Sequence, residues 1–205
     1  MRILLALLVF QTDDKKDLKV SAEKMAKVKS YQFRVALESG SEMSTHEGEF
    51  ADGTVHVKSE KGEAARHGDV RLFKPKGGDW KEMARGGKRE AEPHEWIERI
   101  VALVPALKKE RSDKVQGVTV DVYVYALEAA AAKKAFEVGG IGPLFVDWTK
   151  TKNGILIYVG RADDLIYRVE LRADAGKMST GVTVDFSRFN QTKLSLPKEI
   201  LDRLK

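Results

Sequence analysis

Apolar and polar residues alternate along the stretch that begins at residue 31. Apolar side chains occupy every second position there, at Tyr31, Phe33, Val35 and Leu37. Because successive side chains of a strand point to opposite faces, this period of two predicts a half-buried strand. Turn signals follow at Gly40-Ser41, Asp52-Gly53 and Lys61-Gly62. They predict an antiparallel meander whose further strands cover 45–51, 54–60, 63–67 and 69–74.

A different spacing marks the helices. Apolar residues three or four positions apart predict an amphipathic helix over 13–29 and a second helix over 94–107. The second helix has a wide apolar surface, and Pro93 stands at its first turn, where proline is favoured. Pro105 is expected to kink this helix or end it early. An alanine-rich segment over 128–136 predicts a short third helix, and a brief terminal helix is expected to begin near residue 196.

The second half of the chain returns to alternation. Valines at every second position, including Val120, Val122 and Val124, predict a strand over 115–127. Further strands are predicted over 154–160, 165–172 and 179–189. A sheet of about eight to ten strands curls strongly or closes on itself, and its inward face must be covered. The sequence therefore predicts an α+β fold: a strongly curved antiparallel sheet, or half-open β-barrel, with helices covering the concave face.

Composition limits the class of protein. The 205 residues suffice for one well-buried domain, and 42% hydrophobic with 33% charged residues excludes a disordered chain and a multi-span membrane protein. No cysteine is present, which excludes disulfides, thiol catalysis and attachment of lipid to cysteine. We expect a single domain over 13–205.

The segment 1–12 is treated separately. Arg2 precedes the apolar run Ile3–Phe10, which is too short to span a bilayer but suits the apolar centre of a secretory signal. The following Gln11-Thr12-Asp13-Asp14 offers no small-residue cleavage site. A degenerate signal, a clipped or misassigned start, and a strand or helix within the core are the three alternatives. The first two together favour an exported protein in the periplasm or cell envelope.

The net charge of +5 is concentrated in one segment. Residues 58–89 carry ten basic and five acidic side chains, an excess equal to that of the whole chain. Such a field attracts an anionic membrane surface, while the alternative is the solvated outer face of a sheet. The charges of this segment alternate with small and apolar residues in a strand-like pattern, which is not the arrangement of a recognition helix, so no nucleic-acid partner is predicted.

Chemistry-bearing residues form no recognisable catalytic group. His46, His56 and His67 fall on consecutive predicted strands; surface positions on a polar strand face are the favoured interpretation, and no metal is predicted. Gly140-Ile141-Gly142 lacks the third glycine of a dinucleotide motif, and Pro143 follows it. No nucleophile and base stand at a familiar spacing. We expect neither a cofactor nor an enzymatic activity.

Five stretches follow one another in a familiar order. A helix runs into the first strand over 23–33, and two strands follow over 47–57. Then come the turn at Gly78-Asp79-Trp80, a late hairpin over 155–169 and a closing strand and tail over 186–197. This order resembles the LolA/LolB-like lipoprotein-carrier superfamily, which also includes RseB and the LppX/LprG lipoproteins. The lipobox cysteine of the membrane-anchored members is missing, so the resemblance implies no lipid tether.

The resemblance implies a hydrophobic cavity between the curved sheet and the helices. The implied function is a non-enzymatic carrier or binding protein for a lipid or lipidated protein in the cell envelope. From its charge, the basic segment 58–89 is the expected contact with a membrane surface. The alternative is an envelope signalling or interaction module that uses the same cup to contact a protein partner. For Trp96, a cavity wall and a place in a filled core are equally open. The predicted lining residues are Phe33, Val35, Leu37, Trp96, Ile100, Val104, Val120, Val122 and Val124.

Overall fold

The computed structural model describes residues 13–83, 92–104, 108–138, 147–176 and 179–205. Its helices are α1 (Asp13–Ala26), α2 (Pro93–Leu103), α3 (Ala129–Val138) and α4 (Lys198–Leu204), with one 3-10 turn at Trp148–Lys150. The apolar run at 3–10, Pro105 and the glycines near residue 140 lie outside the described residues. None of the helices in the described ranges is long and apolar enough to cross a membrane.

Eleven strands form one antiparallel sheet. They are β1 (Ser30–Ser39), β2 (Glu42–Ala51), β3 (Thr54–Ser59), β4 (Gly62–His67), β5 (Val70–Pro75), β6 (Lys81–Glu82), β7 (Lys108–Val115), β8 (Val118–Leu127), β9 (Lys152–Gly160), β10 (Ile166–Asp174) and β11 (Ser179–Ser187). Their order is β6-β5-β4-β3-β2-β1-β11-β10-β9-β8-β7, so the first strand pairs with the last at the centre. The sheet is not closed. The predicted curved half-barrel of the α+β class is therefore confirmed.

The two ends of the sheet differ from its middle. β6 is only two residues long, and β7 consists mostly of charged residues, with the sequence KKERSDKV. Short and charged edge strands discourage pairing with a second chain. No strand was predicted over 108–114, because these residues are mostly charged. An edge strand of this kind lacks the apolar alternation that marks a half-buried strand.

Turn chemistry fixes the meander of β2 to β5. Asp52 and Gly53 both have positive φ, 47° and 78°, as a tight hairpin requires. Gly62 has φ 141°, and a Cβ there would overlap the carbonyl of Lys74 on the neighbouring strand. These turn signals were predicted from the sequence, and the strands they separate lie within two or three residues of the predicted bounds.

The helices divide between the two faces of the sheet. The first three helices cover one face, here called the helix-covered face, and share a single buried cluster with it. α4 packs instead on the opposite, outer face, where Leu196, Ile200 and Leu204 meet Ala65 and Leu72 of β4 and β5. The prediction that helices cover the concave face holds for α1, α2 and α3 and is wrong for α4, whose apolar positions match a satellite core outside the sheet.

Candidate functional site

The candidate site is the apolar interior between the helix-covered face and α1–α3. Strands β1, β2, β9 and β11 contribute large buried side chains to it, including Tyr31, Phe50, Phe186 and Ile157. The three helices contribute the opposite wall, listed here by helix: Leu18, Ala22 and Met25; Trp96, Ile97, Ile100 and Val101; and Ala132, Ala135 and Phe136. We call this set the interior cluster. It is one continuous body of apolar side chains, the environment in which an acyl chain is soluble.

Sequence and capping place α2 over this interior. Pro93 occupies the first helical position, and the Glu95 carboxylate accepts a hydrogen bond of 3.0 Å from the backbone N–H of Glu92. Such a bond satisfies one of the donors that a helix start leaves unpaired. The buried residues Trp96, Ile97, Ile100 and Val101 then follow at helical spacing. Among the described residues, the backbone of α2 approaches α1 and α3 more closely than any strand.

One hydrogen bond joins α2 to the centre of the sheet. The hydroxyl of Tyr31 lies 3.1 Å from Nδ1 of His94, and the ring of Tyr31 stacks on Phe50 at 4.8 Å between centroids. Burial raises the pKa of Tyr31 above its ordinary range, so the phenol stays protonated and can donate to Nδ1. The other ring nitrogen of His94 lies 3.6 Å from the Glu92 carboxylate. A polar chain therefore runs from the strand to the start of the helix.

The structure brings six of the nine predicted lining residues together. Phe33, Trp96, Ile100 and Val104 are buried in the interior cluster, and Val35 and Leu37 pack against its margin, partly exposed. Val120, Val122 and Val124 are not among them. They belong to a separate cluster with Val115 and Tyr158 on the outer face. Contact of any of the nine with a ligand remains a prediction.

On β8, the residues that face the helices are the ones that alternate with the predicted valines. Tyr123, Tyr125 and Leu127 face the helices in place of the three valines. Alternation alone cannot say which face is covered when both faces of a strand carry apolar side chains. The tyrosines of β8 could have indicated the covered face, since aromatic residues also line this face at Tyr31 and Phe186. The burial of Arg66 on β4 could not be predicted from the sequence, because a charged residue in a polar segment is expected to be exposed.

His56 and His67 have separate environments on the outer face. His56 is 1% exposed and lies between two carboxylates, with Nε2 3.0 Å from Glu63 and Nδ1 3.4 Å from Glu49. The interpretation of His56 as a surface histidine is therefore wrong, because the chain before α4 covers it. His67 contacts the hydroxyl of Thr54 at 2.9 Å. Within the described ranges no three His, Asp or Glu side chains are placed to hold a metal ion.

The His56 group fastens the C-terminal segment to the outer face. The backbone N–H of Ser195 donates to Glu49 at 2.7 Å, and its hydroxyl accepts from Lys58 at 3.0 Å. Ser195 Oγ also lies 3.4 Å from His56 Nδ1. Because Ser195 is already engaged by Lys58 and Glu49, the arrangement acts as a polar clamp that leads into α4.

The described part of the basic segment is only partly a surface feature. Lys74 pairs with Glu63 at 3.3 Å, and Lys61 and Lys76 are exposed. Arg66 is buried on the helix-covered face and adds nothing to an outward-facing patch. Residues 84–89 of this segment lie outside the described residues.

Four of the pockets lined by described residues lie away from α2. One of about 300 Å³ lies on the outer face beside His56 and Arg34, and one of about 570 Å³ lies between α1 and the ends of β8 and β9. The other two lie near Phe189 and at the turn between β3 and β4. None of these four is lined by Trp96, Ile100 or Val104.

Two solved structures share this architecture over nearly their whole length. LprF from Mycobacterium bovis superposes with a TM-score of 0.60 at 13% identity, covering 92% of this chain and 98% of LprF. The lipoprotein LppX from Mycobacterium tuberculosis gives 0.55 at 11% identity, covering 88% and 96%. The chain therefore has the fold of LprF and LppX. The resemblance expected from the sequence is confirmed at the level of this fold. No protein-family model and no curated protein matches the sequence.

Proposed function

We propose that this protein is a non-enzymatic carrier or binding protein for a lipid or lipidated protein in the cell envelope. The observation that carries the proposal is the interior cluster itself, in which three helices lie over one apolar face of a long curved sheet. The fold, which this chain shares with LprF and with the lipoprotein LppX, is compatible with it. An acyl chain entering this interior would exchange water for hydrocarbon contact along its whole length.

The position of α2 gives a route for such a chain. α2 is held by apolar side chains and, at its start, by the Tyr31–His94 hydrogen bond described above. Apolar contacts are non-directional and can be remade with a ligand in place of a neighbour. Separation of α2 from the sheet would therefore open the interior. A lipid chain would then replace the contacts that α2 gives up.

Contact with a membrane surface is the second part of the proposal. The exposed Lys61 and Lys76 lie at one end of the β3–β5 meander, where a basic patch would be attracted to anionic lipid. Sedimentation with anionic vesicles tests this part. Binding that weakens in high salt, and that weakens further when both lysines are changed to glutamine, is the expected result.

The carrier is tested by native mass spectrometry of protein purified without detergent, followed by uptake of a fluorescent fatty acid. Lipid at a ratio near one to one is expected. The variant Ala135→Phe adds a ring to a buried position of the interior cluster and should reduce uptake. Ala65→Phe is the matched control, because Ala65 is equally buried but belongs to the α4 cluster on the outer face.

The second candidate function is an interaction module that contacts a protein partner through the same face. The close packing under α2 favours it, since Ile97 and Val104 are fully buried. A protein that shows a clean mass without lipid and takes up no fatty acid would contradict the carrier and support this alternative. Uptake that is equal in the Ala135→Phe and Ala65→Phe variants would place any bound lipid outside the interior.

A further inference from the structure

A buried guanidinium lies at one end of the interior. Arg66 is 9% exposed, and its Nη1 is fully buried without a hydrogen-bond partner. The ion pairs nearby join Lys74 to Glu63 and His94 to Glu92 and leave Arg66 out. Removal of a charge from water is very unfavourable unless another group compensates it. Arg66 therefore has an unused capacity to bind an acceptor.

Strand register places Arg66 on the helix-covered face, in a row of residues whose other end lies beneath α2. Tyr31 pairs with Phe50, Phe50 with Val55, and Val55 with Arg66, so these four residues form one row across β1–β4. Paired residues share a face, and the first three belong to the interior cluster. His94 of α2 lies over the same row, with its ring 5.2 Å from that of Phe50. The guanidinium thus stands beside apolar side chains on the helix-covered face.

A second buried donor on this side of the sheet also lacks an acceptor. Nε1 of Trp96 is buried without a partner, although Trp96 is part of the interior cluster. In the described part of the chain, Arg66 Nη1 and Trp96 Nε1 are the two buried side-chain nitrogens in this condition. Both are hydrogen-bond donors, and an arginine has no acceptor at all. Within the described ranges, both of these donors therefore lack an acceptor oxygen.

Three acids near the start of α2 and on β4 have partners of their own. The carboxylate of Glu92 lies 3.6 Å from His94, and the carboxylate of Glu95 accepts the backbone N–H of Glu92. Both therefore act at the start of α2. Glu63, on the same strand as Arg66, has the opposite parity and contacts His56 and Lys74 on the outer face.

We propose that Arg66 binds the acidic head group, a carboxylate or a phosphate, of an amphiphile whose apolar chain occupies the interior, with Trp96 as a donor to the same ligand. This inference rests on the proposed carrier function and names its ligand class. The planar guanidinium matches two oxygens of a carboxylate or phosphate at once, and burial strengthens such charge-assisted bonds. A neutral lipid of equal chain length fills the same apolar space but leaves the guanidinium unpaired.

The test is displacement of a neutral fluorescent probe, N-phenyl-naphthylamine, from the full-length protein at neutral pH. Competitors share a sixteen-carbon chain and differ in the head group: palmitate, palmitoyl lysophosphatidate, hexadecanol and monopalmitoylglycerol. We expect the two acids to bind about tenfold or more tightly than the two neutral lipids. The stronger of the two acids identifies a free carboxylate or a phospholipid head group as the source.

The variant Arg66→Met keeps the length of the side chain and removes its charge. It should abolish the preference for acids while leaving hexadecanol affinity unchanged, and it should not lower the melting temperature, since an unpaired buried charge is removed. Arg34→Met is the control, because Arg34 is exposed on the outer face. If acids and neutral lipids bind equally well to the wild-type protein, the role of Arg66 is wrong and the carrier stands. If none of the lipids binds, the carrier itself is wrong, and this inference with it.

Discussion

The hydroxyl of Tyr31 at the centre of the sheet lies 3.1 Å from Nδ1 of His94 at the start of α2. Tyr31 is fully buried, and its ring contacts Phe33, Phe50 and Phe186 as well as His94. The ring packs against side chains of β1, β2 and β11, while the hydroxyl contacts α2. One side chain therefore couples the packing of the strands to the position of the helix above them.

Tyr31→Phe keeps the ring and removes only this coupling. We expect a loss of about 1 kcal/mol in the free energy of unfolding, the usual net value of one hydrogen bond, and more than that if His94 is left buried and unpaired. Faster amide hydrogen exchange in α2 is the specific sign. Tyr158→Phe removes a comparable hydroxyl, which donates to Glu170 at 3.0 Å on the outer face. That control should leave exchange in α2 unchanged; equal exchange in both variants would contradict the coupling.

The ring of Phe33 lies against Gly48, its partner on β2. A Cβ at residue 48 would overlap the end of this ring, so Gly48→Ala forces Phe33 to move within a filled interior. A cost of about 1–3 kcal/mol is expected from overpacking, measured by urea unfolding. Gly154→Ala is the control, since a Cβ there meets only the carbonyl of Tyr125 at an ordinary 3.6 Å. Phe33→Leu in the Gly48→Ala background should restore part of the loss, and no restoration would show that the strain lies elsewhere.

The Glu49 carboxylate in the polar clamp at Ser195 makes the free energy of unfolding depend on pH in the acidic range. Burial acts to raise the pKa of Glu49, but hydrogen bonds from Ser195 and His56 outweigh it and hold that pKa below its ordinary range. A lowered folded-state pKa adds stability that is complete above the unfolded-state pKa and is lost as the pH falls through the folded-state value. The free energy of unfolding should therefore fall from about pH 6 to about pH 3 by less in Glu49→Gln than in the wild type. Glu47→Gln, an exposed neighbour on β2, should retain the wild-type slope.

The sequence predicted the architecture because the architecture depends on period and turn chemistry. Alternation at Tyr31–Leu37, glycine turns such as Asp52-Gly53 and the apolar helix behind Pro93 each act locally, and all agree with the fold. The face chosen by β8 is not local. It depends on which side of the sheet the helices cover, and Val122 and Tyr123 suit a buried position equally well. The burial of Arg66 depends in the same way on the register of four strands and on α2 above them.

Two fully buried valines on opposite faces of the sheet allow a matched comparison of ligand uptake. Val122 on β8 and Val169 on β10 are both fully buried, the first in the outer cluster and the second in the interior cluster. Truncation to alanine should destabilise each protein by about 2 kcal/mol, because the same two methyl groups are lost from a closed environment. Uptake of a fluorescent fatty acid should change only in Val169→Ala, where the truncation enlarges the space that the ligand would occupy. A change of equal size in Val122→Ala would mean that the outer cluster, and not the space beneath α2, receives the acyl chain.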